Sequence, residues 1–95
     1  MTAYVIVDVD IHDPVTFAEY REIGVPTIAQ YGGRVLARSD AAVSLEGEWR
    51  PSRLVILEFD SVDRAKAWHS SPEYERAKAI RRRAACTNSI YVEGL

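Results

Sequence analysis

Cysteine is almost absent. Cys86 stands alone, which excludes an internal disulfide and any cysteine-built metal cluster, and suits a reducing, cytoplasmic setting. Histidine is scarce as well. His12 and His69 show no spacing that would bring them to one metal, and a structural zinc site needs about four ligands, so no metal is expected. No stretch approaches the roughly 20 apolar residues of a membrane span. Met1-Thr2-Ala3-Tyr4 puts no basic patch before its apolar run, so neither a membrane anchor nor a secretory signal is expected. A glycine-rich phosphate loop, a nucleophile elbow and an HExxH pattern are all missing, and no cofactor is expected.

What is present is the composition of one globular domain spanning 1–95: 47% hydrophobic and 27% charged residues, enough for one core and no more. The net charge of -2 hides an asymmetry. Residues 1–63 hold 11 acidic and 5 basic side chains, whereas residues 64–95 hold 3 and 7. The basic cluster Lys78, Arg81, Arg82 and Arg83 falls at a helix C-terminus, where the helix dipole favours cations. With a pI near 5.6, that cluster reads as a solvated helix face, and no nucleic-acid partner is expected.

The chain order reads β-α-β-β-α-β. Ala3 to Ile11 alternates as a strand. Asp13-Pro14 opens a helix, with Asp13 capping free amides and Pro14 at the first helical position. Phe17, Tyr20, Gly24, Ile28 and Tyr31 recur at helical spacing. Pro26 predicts a kink or two short helices, and Gly32-Gly33 ends the element. Arg34 to Ser39 is a second strand, resuming over Val43 to Glu46 after a bulge at Asp40-Ala41-Ala42. Arg53 to Phe59 is the third. A helix follows from Ser61 to His69, another from Ser71-Pro72 to about Ala85, then a strand from Asn88 to Glu93. This order fits a ferredoxin-like α+β fold, a four-stranded antiparallel sheet with helices on one face.

One face of each strand is apolar: Val5, Val7, Val9; Val35, Ala37; Val55, Leu57, Phe59; Ile90, Val92. The other is mixed: Tyr4, Ile6, Asp8; Arg34, Leu36, Arg38; Leu54, Ile56, Glu58; Ser89, Tyr91, Glu93. A water-facing sheet surface normally alternates apolar in and polar out. Ile6, Leu36, Leu54 and Ile56 break that rule, and such a patch marks an interface. A second copy stacked sheet on sheet would cover it, so a homodimer through this face is expected.

Tyr31-Gly32-Gly33-Arg34, Glu46-Gly47-Glu48-Trp49, Arg53 to Phe59, Trp68-His69-Ser70-Ser71-Pro72-Glu73-Tyr74 and Glu93-Gly94 resemble the domain of unknown function 1330 family over nearly the whole chain. The resemblance implies a dimeric α+β barrel, two ferredoxin-like subunits with their sheets face to face. It also implies kinship with cofactor-independent monooxygenases, haem-degrading enzymes and small isomerases, without implying any one activity. Two positions depart from the pattern: Asp60 stands where a proline is common, and His69 where a tyrosine is common.

The candidate chemistry follows. His69 and Glu58 are the proton-transfer candidates, His69 because its charge changes near neutral pH; the alternative is a packed histidine. Asp8, Arg34, Arg38 and Glu58 make either a polar cleft at the dimer seam, with Arg38 stabilising an anion, or an ion-pair network that fixes the two sheets in register. Trp49 is a pocket wall or interface residue, and Tyr91 a further ligand contact. The expected function is binding of a small, largely apolar molecule in a sheet–helix cleft, with cofactor-free oxygenase or isomerase-like chemistry. The alternative is a non-enzymatic dimeric interaction protein.

Overall fold

The computed structural model describes residues 1–95. Its elements are β1 (Ala3–Ile11), α1 (Pro14–Gln30), β2 (Arg34–Ser39), β3 (Arg53–Phe59), α2 (Val62–His69), α3 (Pro72–Ala84) and β4 (Ala85–Glu93). The strands form one antiparallel sheet in the order β2-β3-β1-β4. This is the ferredoxin-like arrangement, with the second helical segment divided into α2 and α3 at Ser70-Ser71. No helix is long and apolar enough to cross a membrane.

The helix starts are set by side chains. Asp13 accepts from the Thr16 amide at 3.2 Å, Ser61 from the Arg64 amide at 3.1 Å and Ser71 from the Tyr74 amide at 3.2 Å. Each cap satisfies an amide that has no partner within its own helix. Pro26 does not break α1, which runs as one helix and not two. Gly24 and Thr27 on either side of it are buried, and the Thr27 hydroxyl donates to the Gly24 carbonyl. Packing there outweighs the roughly 3 kcal/mol that an internal proline costs. At the end of α1, Gly32 takes φ +80, a left-handed conformation open to glycine. At Gly33 a Cβ would meet the Phe59 ring at 2.6 Å and Ile28 at 2.8 Å, so only glycine fits.

Two registers differ from the sequence reading, and each moves a candidate residue through the sheet. The bulge in β2 falls at Leu36, between Val35 and Ala37, and not at Asp40 to Ala42; no strand resumes over Val43 to Glu46. Beyond the bulge the alternation inverts. Arg38 pairs with Val55 on the helix side, and Ala37 pairs with Ile56 on the open side. In β4, which begins three residues earlier than expected, Tyr91 pairs with Val5 and Ile90 with Ile6. Tyr91 therefore lies on the helix side, while Ile90 and Val92 face away from the helices.

The core fills the helix side. Ala3, Val5, Leu57, Phe59, Trp68, Tyr74 and Ala77 are buried in one cluster, and Val9, Phe17, Ala84 and Ala85 in a second. The open side carries Tyr4, Ile6, Leu54 and Ile56, half-buried, beside Ile90 and Val92 at 62% and 47% exposure. No helix of the chain covers it.

Candidate functional site

Three hollows receive the candidate residues, and the two faces of the sheet keep them apart. The first lies on the helix side between α1 and the sheet. Its walls are almost entirely apolar, including Val7, Phe17, Val25, Ile28, Val35, Val55 and Trp68. Its volume is about 70 Å³. Tyr20 and Tyr74 form part of its wall, and Arg21, Arg38 and Arg53 also line it.

Tyr20 and Tyr74 also belong to a polar network that sequence reasoning missed. The Tyr20 and Tyr74 hydroxyls are 2.8 Å apart, and Arg81 Nη1 donates to the Tyr74 hydroxyl at 3.0 Å. Arg81 is buried, at 9% exposure, its guanidinium also lies 5.8 Å from the Tyr20 ring centre, and its Nε has no hydrogen-bond partner. No carboxylate pairs with it. Arg81, read in sequence as part of a solvated helix face, is instead buried and bonded to a phenol. Burial, first of all, pushes the Tyr74 hydroxyl well above its usual range, so it remains a protonated donor and acceptor. A signal for this network was present in sequence: Arg81 falls on the same helical stripe as Tyr74, Ala77 and Ala84. The indole of Trp68 is fixed nearby by its own hydrogen bond to Thr27 Oγ1, 2.9 Å.

The second hollow, about 320 Å³, lies between α2 and strands β1 and β4. It brings together two residues selected from sequence, His69 and Tyr91, with Lys66, Ser70, Ser89 and Trp68. Trp68 lines both hollows. His69 lies at the end of α2, its ring 6.0 Å from that of Trp68 and 5.9 Å from that of Tyr74. Burial against these rings, then the positive charges of Lys78 and Arg81, hold its imidazole below the usual value. Lys78 Nζ sits 3.4 Å from His69 Nδ1 and 2.6 Å from Glu75 Oε1. With the ammonium donating to Nδ1, a neutral imidazole carries its proton on Nε2. Lys78 is buried, at 3% exposure, which corrects its assignment to a solvated basic face. Only Arg82 and Arg83 of that cluster are exposed.

The third hollow is on the open side. Trp49, in the β2–β3 connection, reaches over β1: its indole Nε1 donates to Asp8 Oδ2 at 3.0 Å, while the Ser52 amide donates to Asp8 Oδ1 at 3.0 Å. Trp49, Asp8, Ile6, Asn88, Ser89 and Ile90 enclose about 310 Å³. Farther along this face, Arg34 pairs with Glu58, its directly opposite neighbour on β3. The sequence-derived set Asp8, Arg34, Arg38 and Glu58 therefore divides. Asp8 holds a loop, Arg34 and Glu58 hold each other, and Arg38 faces the first hollow. Glu58 and His69 lie on opposite sides of the sheet and cannot act on one bound molecule within one chain.

Comparison with known proteins agrees with this architecture. Among curated proteins nothing matches the sequence. Among solved structures, the chain is similar to a protein of unknown function from Rhodopseudomonas palustris, at 19% identity and a TM-score of 0.82, covering 99% of this chain and 82% of that one. It is similar to SnoaB, a cofactor-independent oxygenase from Streptomyces nogalater, at 10% identity and a TM-score of 0.68, covering 99% and 93%. A dimeric protein of unknown function and ferredoxin-like fold from Bacteroides fragilis matches at 16% identity and a TM-score of 0.64, covering 98% and 96%. These likenesses concern the fold. The family model for the domain of unknown function 1330 matches residues 2–95, and the chain belongs to that family.

Proposed function

We propose that this protein binds a small, largely apolar molecule in the cleft between α1 and the sheet, and that an oxygen atom of that molecule meets the Tyr20–Tyr74 hydroxyl pair. The observation that carries the reading is Arg81. A buried guanidinium without a carboxylate costs several kcal/mol of desolvation, and its main hydrogen bond goes to a hydroxyl in the wall of an apolar cleft. Such a guanidinium–phenol pair favours negative charge developing on a bound oxygen. That is the electrostatic requirement of cofactor-free oxygenation or isomerisation through an enolate-like state. The fold shared with a cofactor-independent oxygenase supports the same reaction class by analogy. His69 is the proton-transfer group only for a molecule that occupies the adjoining hollow, beyond Trp68.

In this proposal the protein is a homodimer. The apolar open face, with Ile6, Leu54, Ile56, Ile90 and Val92, packs on its equivalent in a second copy. The dimeric relative from Bacteroides fragilis supports this assembly. Trp49, Asp8, Arg34 and Glu58 then lie at the seam and fix its register.

A methyl-labelled sample titrated with 4-methylpentan-2-one tests the site. Shifts at Val7, Val25, Ile28, Val35 and Val55, weakened severalfold by Tyr20→Phe, are the expected result. Shifts confined to Val5, beside His69 and Tyr91, would move the site to the second hollow. No shift at either place would favour the other reading, a dimeric interaction protein without a ligand. One observation speaks for that reading: about 70 Å³ is far below the roughly 300–1,000 Å³ of common ligand pockets.

A further inference from the structure

We infer that the ligand of the α1 cleft is a small organic anion, a short branched carboxylate whose apolar end, carrying the oxygen that meets Tyr20 and Tyr74, enters the cleft while its carboxylate head sits among Arg21, Arg38 and Arg53. This rests on the cleft reading above and adds the ligand's chemical class. Three arginines from three elements line the cleft, Arg21 from α1, Arg38 from β2 and Arg53 from β3, and the charges of all three act on Asp40. One carboxylate answers them. Asp40 takes Arg53 in a two-pronged contact, 2.8 Å to Nε and 3.3 Å to Nη2. Arg21 and Arg38 form no ion pair, although both lie close enough to Asp40 to help hold its carboxyl below the usual range, after the Arg53 hydrogen bond. The cleft thus carries two positive charges in excess, against apolar walls that strengthen their field.

The bulge at Leu36 explains how Arg38 reaches this place. Regular alternation from Arg34 would put Arg38 on the open face; one extra residue re-aims it to the helix side. Planar guanidinium groups match a carboxylate in geometry as well as charge. The cleft then limits what the carboxylate is attached to. A volume of about 70 Å³ is small beside the roughly 300–1,000 Å³ of common ligand pockets, which favours a short branched group. A bare inorganic anion leaves those walls unused. A long chain does not fit.

The test compares two probes of equal shape, 3-methylbutanoate and 3-methylbutan-1-ol, by methyl NMR titration at low salt. The expected result is at least tenfold tighter binding of the acid at the cleft methyl groups. In the double variant Arg21→Gln, Arg38→Gln the preference should fall below threefold, with alcohol affinity unchanged. Both arginines are exposed, so the fold should survive; the amide spectrum checks this, and Arg38→Gln alone serves as a milder second variant. Equal binding of acid and alcohol by the native protein would overturn the anion assignment and leave the cleft intact. A preference that persists in the double variant would overturn the role of these arginines. Failure of both probes to move the cleft methyl groups would remove the cleft reading, and this inference with it.

Discussion

The two sides of the sheet are built from similar residues and finished differently. On the helix side, Leu57, Phe59 and Trp68 are almost wholly excluded from water, and the polar groups among them are tied to one another: Trp68 to Thr27, Tyr20 to Tyr74, Tyr74 to Arg81. On the open side, Ile6, Leu54 and Ile56 are only half covered, Ile90 remains exposed, and the polar residues make local contacts at the surface, Arg34 with Glu58 and Asp8 with Trp49 and the Ser52 amide. The difference teaches where each side gets its order. The helix side is completed by this chain's own helices, and it holds one buried charge without a carboxylate partner, Arg81. The open side has apolar surface and charge pairs but no lid.

The largest effect expected from breaking this contrast is in the helix-side core. Trp68→Ala should cost about 3–5 kcal/mol, read by chemical denaturation, because it removes the ring stacked 4.2 Å from Tyr74 and the anchor on Thr27. Tyr74→Phe sharpens the comparison. It leaves Arg81 Nη1 without its acceptor and should cost about 1–3 kcal/mol with little change in packing volume. On the open side, Ile56→Lys should leave the stability of the isolated subunit nearly unchanged but abolish self-association, measured by light scattering. If it instead unfolds the subunit, the two sides are not independent. Arg34→Ala should be the mildest for the single chain, within about 1 kcal/mol, as for exposed ion pairs generally.

A pH titration gives the smallest effect. The folded-state value of His69 lies below its ordinary 6.5, so below that pH the unfolded chain binds a proton more readily than the folded one. The corresponding contribution to stability is complete above about pH 6.5 and is lost as pH falls beneath it. Ring proton shifts should therefore titrate below 6.5 in the folded protein. Lys78→Met, which removes the nearest positive charge, should raise that midpoint.

Much of the fold was legible because its signals are local. Asp13, Ser61 and Ser71 cap helices by chemistry within three residues, and alternation alone located β1 and β3. Two faces were assigned wrongly because register is not local. The bulge at Leu36 has no glycine or proline to announce it, and it carried Arg38 across the sheet. In β4, Ile90 and Val92 looked like core residues, yet pairing with β1 sends them to the open side and Tyr91 to the helix side. There apolar character marked a second buried surface and not the first. The site was legible only in pieces. His69 and Tyr91 do meet in one hollow. Arg81 shares a helical stripe with its hydrogen-bond partner Tyr74, but the Tyr20 ring beside its guanidinium lies 61 positions away in α1, and no sequence spacing reports that contact.

The contrast between the sides is tested most directly by sedimentation velocity of the native protein across the micromolar range. The expected result is a species of twice the chain mass of 10.7 kDa, reduced to one chain by Ile56→Lys. A native protein that stays at one chain mass throughout, with Ile6, Ile56 and Ile90 still open to solvent, would contradict the account.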